Sequence, residues 1–232
     1  NWFFTVGNDR FHYIENVIGG SGADRIDMSA FGIEVELSGG GGDDFLRGGR
    51  GKDLLRGGEG ADRLEGGSGD DLYGDAGNDV IVVTFDPLML FSTTFISGGA
   101  GDDTLILRGD RARLFLDSGF GGLGTGGLSA QVENVVLEIT GAGERWLIGD
   151  HGANRLSIGA GDDGGGGAVL SGLGGDDILT GGEADDILSG NLGQDQLRGG
   201  GGNDTADYSQ AYSGVTASLA AGMASNDGDG ST

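Results

Sequence analysis

Aspartates that recur every nine residues are the side chains of this 232-residue chain best suited to chemistry. They stand in two separate blocks, each at the sixth place of a glycine-rich unit that reads G-G-x-G-x-D-x-U-x, where U is apolar. The first block begins GGGGDDFLR at Gly39, and the second begins GLGGDDILT at Gly172. Carboxylates set beside turn carbonyls offer only hard oxygen ligands, which suit a hard divalent cation.

The glycines predict the elements that hold these aspartates. Gly-Gly-x-Gly supplies positions that are open to positive φ, so six residues form a turn, and the remaining three form a very short strand with an apolar centre. Two units make one flattened coil, and coils stack at a strand spacing of about 4.8 Å. A cation midway between two turns lies about 2.4 Å from each, which matches a calcium–oxygen bond. The ligand types therefore predict several Ca²⁺ ions rather than magnesium, which retains more water.

The candidate ligands are the aspartates at the sixth place of each unit, including isolated units that start at Gly19 and Gly98. They are Asp24, Asp44, Asp53, Asp62, Asp71, Asp79, Asp103, Asp163, Asp177, Asp186, Asp195 and Asp204. The candidate main-chain carbonyls are those of Gly40, Gly42, Gly49, Gly51, Gly58, Gly60, Gly67, Gly69, Gly175, Gly182, Gly193, Gly200 and Gly202. The expected pairs across turns are Asp44 with Asp62, Asp53 with Asp71, Asp62 with Asp79, Asp177 with Asp195, and Asp186 with Asp204.

Acids one place earlier in the unit occupy a free position and are interpreted as solvated surface groups. They are Asp43, Asp70, Asp102, Asp162, Asp176 and Asp185.

The nine-residue unit resembles the RTX, or haemolysin-type calcium-binding, repeat family. The resemblance implies an all-β fold, a right-handed parallel β-roll (β-solenoid) with calcium ions between turns, interrupted here by non-repeat strands and loops. It also implies export by type I secretion, calcium-driven folding outside the cell, and an extracellular or cell-surface location.

The two ends of the chain resemble halves of a spacer cassette found in RTX proteins. DYSQAYSGVTASLAAGMASNDGDGST, from Asp207, resembles its first half, and NDRFHYIENVIGG, from Asn8, resembles its second half. Such ends could pair head to tail, and contacts of this kind build filaments when they do not close. The chain is therefore expected to be either a fragment of a tandem array or a unit of a homo-polymer.

The expected organisation has six parts. They are the end half of the spacer cassette (1–18), the first repeat block (19–82), an insertion (83–97), degenerate or continuing coils with insertions (98–171), the second repeat block (172–207) and the start half of the cassette (208–232). In the degenerate coils, Arg145 and Asn154 stand where the aspartate belongs, and the arginine could replace a cation with its own guanidinium.

The expected core is thin, because each coil contributes about two inward side chains. These are Leu46, Leu55, Leu64, Tyr73, Ile81, Leu179, Leu188, Leu197 and Ala206. Apolar residues also fall at the outward seventh place, namely Phe45, Leu54, Leu72 and Val80. Two buried aliphatic side chains contribute about 4–6 kcal/mol, less than the ordering of a coil costs, so metal binding is expected to supply folding free energy.

Composition excludes several classes of protein. The chain has no cysteine and therefore no disulfide scaffold, and 37 acidic against 13 basic residues give a net charge of −24. A field of that sign repels phosphate backbones and anionic lipid, so neither nucleic acid nor membrane insertion is expected. His12 and His151 lie in no HExxH motif, and GxSxG is absent, so we expect no enzyme activity.

Two alternatives to a structural and assembly module stay open. The chain could be the C-terminal calcium-binding domain of a secreted enzyme such as a metalloprotease, lipase or alginate epimerase. It could also be an adhesin segment whose basic cluster binds an acidic polysaccharide; that cluster is Arg47, Arg50, Lys52, Arg56 and Arg63.

Overall fold

A computed structural model describes residues 14–84, 95–109, 112–115, 132–139, 145–159, 166–211, 217–218 and 223–224. The described residues form 21 strands and no helix. Nearly all strands pair in parallel with the strand two places along the chain, so the chain winds as a β-solenoid with two sheet faces. This confirms the all-β parallel solenoid that the nine-residue period predicts. No helix in this part of the chain is long and apolar enough to cross a membrane.

One face, the long face, is a single sheet of nine parallel strands. Its members are β2 (Arg25–Asp27), β4 (Phe45–Arg47), β6 (Arg63–Gly67), β8 (Val80–Thr84), β10 (Thr104–Gly109), β12 (Asn134–Ile139), β14 (Arg155–Ile158), β16 (Ile178–Thr180) and β18 (Gln196–Arg198).

The opposite face, the divided face, consists of two five-stranded parallel sheets. The first contains β1 (Asn16–Ile18), β3 (Glu36–Gly41), β5 (Leu54–Glu59), β7 (Asp71–Ala76) and β9 (Phe95–Ala100). The second contains β11 (Ala112–Phe115), β13 (Arg145–Ile148), β15 (Ala168–Gly174), β17 (Ile187–Leu192) and β19 (Thr205–Ala206). A separate antiparallel pair, β20 (Ala217–Ser218) and β21 (Met223–Ala224), completes the described strands.

The core is built on one stacked apolar residue per strand, in register along each face. β8, β10, β12 and β14 each add a second buried apolar residue, namely Val83, Leu107, Leu137 and Ile158. On the long face this stack runs through Ile26, Leu46, Leu64, Ile81, Leu105, Val135, Leu156, Leu179 and Leu197. On the divided face it runs through Val17, Leu37, Leu55, Leu72 and Ile96, and then through Leu147, Leu170, Leu188 and Ala206. Most of these side chains are buried; Ala206 keeps the expected inward register with Leu188 but is exposed.

The eight-residue unit 66–73 takes a different register from the one that the sequence predicts. Leu72 pairs with Leu55 and is 0% exposed, whereas Tyr73 faces outward over the Arg56 guanidinium. The eighth place counted from Gly66 is Tyr73, which was expected inside, and the seventh is Leu72, which was expected outside, so both expectations are wrong. The missing residue falls in the turn rather than in the strand, because strand alternation keeps the leucines of β5 and β7 on one face.

The solenoid accommodates longer connections without losing the long face. Inside the blocks, hydrogen-bonded acids of successive turns are 17 or 18 residues apart. The same bond joins Asp79 to Asp103 across 24 residues and Asp103 to Glu133 across 30 residues. β10 pairs with β8 over five residues and with β12 over six. By contrast, β9 and β11 belong to different sheets of the divided face.

The shifted register can be tested with two leucines of the first block. We expect Leu72→Ala to lower the free energy of unfolding by about 2–5 kcal/mol, because the substitution leaves a cavity in the core. The control Leu54→Ala removes a half-buried outward leucine and should cost less than about 1 kcal/mol. Urea denaturation in saturating calcium measures both; equal losses would contradict the register.

Candidate metal centre

The turns before the long-face strands carry a ladder of carboxylates. At each step the backbone N–H of one ladder residue donates to a side-chain oxygen of the residue one turn further on, for example from Asp44 to Asp62 Oδ1 at 2.7 Å. The same bond joins Asp24 to Asp44, Asp62 to Asp79, Asp79 to Asp103, Asp103 to Glu133, Asn154 to Asp177, and Asp177 to Asp195. One oxygen of each carboxylate is thus used to hold adjacent turns together.

The turns before the divided-face strands carry a second, shorter ladder. Asp53 N–H donates to Asp70 Oδ1 at 2.9 Å, and Asp186 N–H donates to Asp204 Oδ1 at 3.0 Å. The ladder begins with donation from Val35 N–H to Asp53 and, in the second block, from Ala168 N–H to Asp186.

The remaining oxygen of six long-face aspartates is buried and has no hydrogen-bond donor within the described residues. This holds for the Oδ2 atoms of Asp44, Asp62, Asp79, Asp103, Asp177 and Asp195. The six side chains are between 0% and 4% exposed. A buried carboxylate oxygen without a donor costs folding free energy unless a positive charge approaches it.

A main-chain carbonyl from the next turn faces the same place. A Cβ added at Gly57 would lie 2.2 Å from Asp62 Oδ2 and 2.6 Å from the Gly74 carbonyl oxygen, so these two oxygens converge there. Corresponding oxygens converge at Gly39, where they come from Asp44 and Gly57. The same arrangement recurs at Gly74, from Asp79 and Gly98, and at Gly172, from Asp177 and Gly190. Carboxylate and carbonyl oxygens are calcium ligands, so these residues fit the ion that the repeat implies.

Several of the carbonyls expected to be ligands also lie between turns. Those of Gly40, Gly42, Gly60, Gly175 and Gly182 each face a glycine of the following turn. The first-place carbonyls that converge with Oδ2 were not among the expected ligands. No three acidic or histidine side chains within the described ranges form a metal-binding group, so an ion between turns would take most of its ligands from the main chain.

The structure places most of the expected aspartates in the ladders. Asp70 occupies the divided-face position that was expected for Asp71, and it is 1% exposed rather than solvated. Asp71 instead lies outside the ladder, 3.4 Å from Lys52 Nζ. Asp24 and Asp204 lie in the ladders at the two ends and are more exposed than the rest. Asp163 and Asp162 lie outside the described residues.

The other acids at the fifth place are exposed as expected, and they contribute a bond that the sequence did not reveal. Asp43, Asp176 and Asp185 each accept a hydrogen bond at 2.8–2.9 Å from the turn that follows. The donors are the backbone N–H groups of Ala61, Gln194 and Asn203. An outer row of turn-to-turn bonds therefore accompanies the buried ladder.

Three ladder positions in the middle of the chain depart from aspartate. Glu133 accepts the Asp103 N–H and was missed, because it stands outside any recognisable glycine unit. Asn154 Oδ1 accepts the Asp150 N–H, so an amide satisfies that turn. Arg145 is 1% exposed and stands in register with Ala168. Its Nη1 donates to the Gly166 carbonyl, so a guanidinium lies at the position where the sequence suggested that it could replace a cation.

Burial and like charge raise the pKa of eight ladder aspartates. Desolvation is the largest cause in each case, and it raises the pKa of Asp70 and Asp79 to about 6 and that of Asp177 to about 7. Neighbouring ladder carboxylates raise the values further, for example Asp195 beside Asp177. The same causes raise the pKa of Asp44, Asp53, Asp62, Asp103 and Asp195.

The close approach at the first glycine gives a steric prediction. We expect Gly57→Ala to lower calcium affinity at least about tenfold, equivalent to about 1.4 kcal/mol, because the new methyl group would occupy the space between Asp62 Oδ2 and the Gly74 carbonyl. The control Gly32→Ala places its methyl group in open space, with nothing within 4 Å. Isothermal titration calorimetry measures both affinities; equal values would contradict a site at Gly57.

The raised pKa values predict how the calcium-free chain responds to pH. The ordinary aspartate value is 3.8, and the folded values lie higher, so folding favours the protonated carboxyl. The resulting stability is fully present below about pH 4 and is lost as the pH rises through 6 to 7. We expect the unfolding free energy of metal-stripped protein to fall between pH 4.5 and 7.5, and calcium affinity to rise over the same interval.

Circular dichroism of the metal-stripped chain at a series of pH values measures the folded fraction, which should be largest near pH 4.5 and should be lost towards neutral pH, where the chain needs calcium to fold. Asp177→Asn should weaken the dependence of stability on pH. Asp43→Asn removes the same charge from an exposed side chain and should leave most of that pH dependence in place. A calcium-free chain that gains stability as the pH rises would show that these carboxyls are not buried together.

Comparison with known protein families supports the site. A model of the RTX calcium-binding nonapeptide repeat matches four segments, at residues 38–73, 70–83, 95–111 and 171–206. These segments contain the ladder aspartates whose Oδ2 atoms are buried without a donor. A search of curated proteins finds no match. The chain therefore carries RTX calcium-binding nonapeptide repeats, wound into a parallel β-solenoid.

Proposed function

We propose that this chain is a calcium-dependent structural and assembly module of a secreted or cell-surface protein, without catalytic activity of its own. It folds when it meets calcium outside the cell. The RTX repeats support the calcium-binding part of this proposal. Secretion, assembly and the lack of catalysis are further parts of the proposal.

The observation that carries the proposal is the row of six buried aspartate oxygens without donors on one edge of the solenoid. Four of them converge with a carbonyl oxygen of the next turn, so an ion there would meet ligands from two successive turns. A divalent cation at such a point would offset both the desolvation and the mutual repulsion of the carboxylates. Binding free energy would then become folding free energy, because the unfolded chain has no such arrangement.

The acidic neighbours of the basic cluster favour a role in balancing local charge over a role in polysaccharide binding. Arg47 and Arg63 both lie beside Glu65, at 3.5 and 2.7 Å, and Lys52 lies beside Asp71. Arg56 stacks on Tyr73 and lies 3.9 Å from an Asp75 oxygen. Four of the five basic side chains of the cluster thus have acidic neighbours on the same surface, which leaves little unbalanced positive charge for an anionic glycan.

The proposal requires that calcium drives folding. We expect the far-ultraviolet circular dichroism spectrum of the chain to change from disordered to strand-rich on calcium addition, to reverse with EGTA, and to respond weakly to magnesium at equal concentration. Asp62→Asn should raise the calcium concentration at the midpoint, because it removes one Oδ2 from the row, whereas Asp43→Asn at the exposed fifth place should not. A strand-rich spectrum that is unchanged by EGTA would refute a calcium-dependent fold.

Assembly through the chain ends is the most specific part of the proposal. Within the described part, β1 and β19 stand at sheet edges and pair on one side only, and Ile18 of β1 is 79% exposed. Open strand edges favour pairing with further strands. Light scattering in the same calcium titration should show mass increasing with protein concentration, and a monomer at every concentration would remove the assembly role while leaving calcium binding intact.

A further inference from the structure

The two ladders contain the same residue but differ in hydrogen bonding. On the divided face, Asp53 Oδ2 accepts the Gly49 N–H at 2.7 Å, and Asp70 Oδ2 accepts the Gly67 N–H at 2.7 Å. Their Oδ1 atoms are also occupied, by the N–H groups of Val35 and Asp53. Both oxygens of these two carboxylates thus have backbone donors, whereas six long-face Oδ2 atoms have none within the described residues. Asp24 at the start of the long face is the exception, because its Oδ2 accepts the Gly20 N–H at 2.7 Å.

The backbone at the second place of each turn accounts for the difference. In the six long-face turns with a donorless Oδ2, this residue has positive φ, as at Gly40 (107°), Gly58 (116°) and Leu173 (77°). The other three are Asp75, Gly99 and Asn191. Gly49 and Gly67, whose N–H groups donate to the aspartates, do not have positive φ. Where the second-place residue has positive φ, its N–H therefore does not donate to the aspartate of its own turn.

Leu173 shows that this conformation is imposed rather than merely permitted. A leucine at positive φ is strained, since its Cβ crowds the backbone, yet the turn before Asp177 keeps the same shape as the turns that use glycine there. Strain that persists at one position points to a requirement of the site.

The main-chain carbonyls near the first glycine also differ between long-face and divided-face turns. At the long-face position of Gly39, the Asp44 carboxylate and the Gly57 carbonyl converge. At the divided-face position of Gly48, the three nearest atoms all belong to Asp53. At Gly66 they are an oxygen of Asp70 and two methyl groups of Leu72. At Gly48 and Gly66 no main-chain carbonyl is thus among the three nearest atoms, in contrast to Gly39.

Charge in the turns follows the same division. The turn 48–53 carries Arg50 and Lys52, and Lys52 lies 3.4 Å from Asp71 on the neighbouring strand. The long-face turn 39–44 carries Asp43 and no basic residue. Positive side chains at 48–53 weaken the attraction of a further cation, whereas the acid at 39–44 strengthens it.

We infer that the first block binds calcium along one edge only: the long-face turns at Asp44, Asp62 and Asp79 take ions, whereas the divided-face turns at Asp53 and Asp70 are closed by their own backbone N–H groups. This rests on the proposed calcium-dependent role. The inference is confined to the first block, because Asp186 in the second block has both an N–H donor, from Gly182, and the facing carbonyl of Gly199.

A matched pair of substitutions tests the inference. Asp62→Asn and Asp53→Asn change buried aspartates in adjacent repeats, and bound calcium per chain is counted by equilibrium dialysis with atomic emission. We expect Asp62→Asn to lower the number of ions per chain by at least one. Asp53→Asn should leave the number unchanged even if it lowers stability. An equal loss in both variants would overturn the inference.

Measurements on the unchanged chain cover the case in which either variant fails to fold. In crystals grown with calcium, anomalous difference density should lie beside Asp44, Asp62 and Asp79 and not beside Asp53 or Asp70. The Gly49 and Gly67 amides should remain protected from hydrogen exchange at saturating calcium. Density beside Asp53 would overturn the one-edge inference alone, whereas density at no aspartate would overturn the proposed calcium-dependent function and this inference with it.

Discussion

The solenoid depends on how it compensates the negative charge buried between its turns. Most ladder carboxylates are removed from water and lie close to the carboxylates of adjacent turns, and only one oxygen of each is needed for the bond between turns. The chain meets this cost in different ways along its length. A second backbone N–H satisfies Asp53 and Asp70, an amide replaces the charge at Asn154, and a guanidinium stands at Arg145. Within the described residues, six long-face aspartates keep a buried Oδ2 without a donor and are left for an ion, for which we propose calcium.

Glycine and aspartate form one geometric unit in these turns. The first glycine has no side chain because the carboxylate of its own repeat occupies that space. At Gly39, Gly57, Gly74 and Gly172 a carbonyl of the next turn occupies it as well. The same residue therefore shapes the turn and makes room for the oxygens that a metal would bind. This coupling explains why glycine and aspartate recur together, and why a change at either affects both folding and the site.

The period of the sequence predicted most of the architecture, because a nine-residue repeat with one apolar residue allows little besides a stack of short parallel strands. It did not determine where the residue missing from 66–73 would be absorbed. Asp70 and Asp71 are adjacent and chemically identical, and the choice between them follows from the inward stacking of Leu72 on Leu55, a contact between turns.

Two further features of the site depend on the fold rather than on residue type. Glu133 belongs to the ladder through a strand pairing across 30 residues, which no local motif indicates. The left-handed backbone at the second place is adopted by glycine, aspartate, leucine and asparagine alike, so residue type does not reveal it. The neighbouring turn imposes it, and with it the distinction between an open and a closed carboxylate.

The break between β9 and β11 has a mechanical consequence. Across the described residues, the two sheets of the divided face are not joined to each other, while the long face continues through β8, β10 and β12. Among the described residues, a pulling force along the solenoid axis would therefore pass between the two blocks mainly through the hydrogen bonds of β10 and the neighbouring Asp103–Glu133 and Arg108–Glu138 contacts, and it would load these bonds along their direction. Those bonds would yield one pair after another under tension, so extension of the molecule should begin at this strand while the repeat blocks on either side keep their shape.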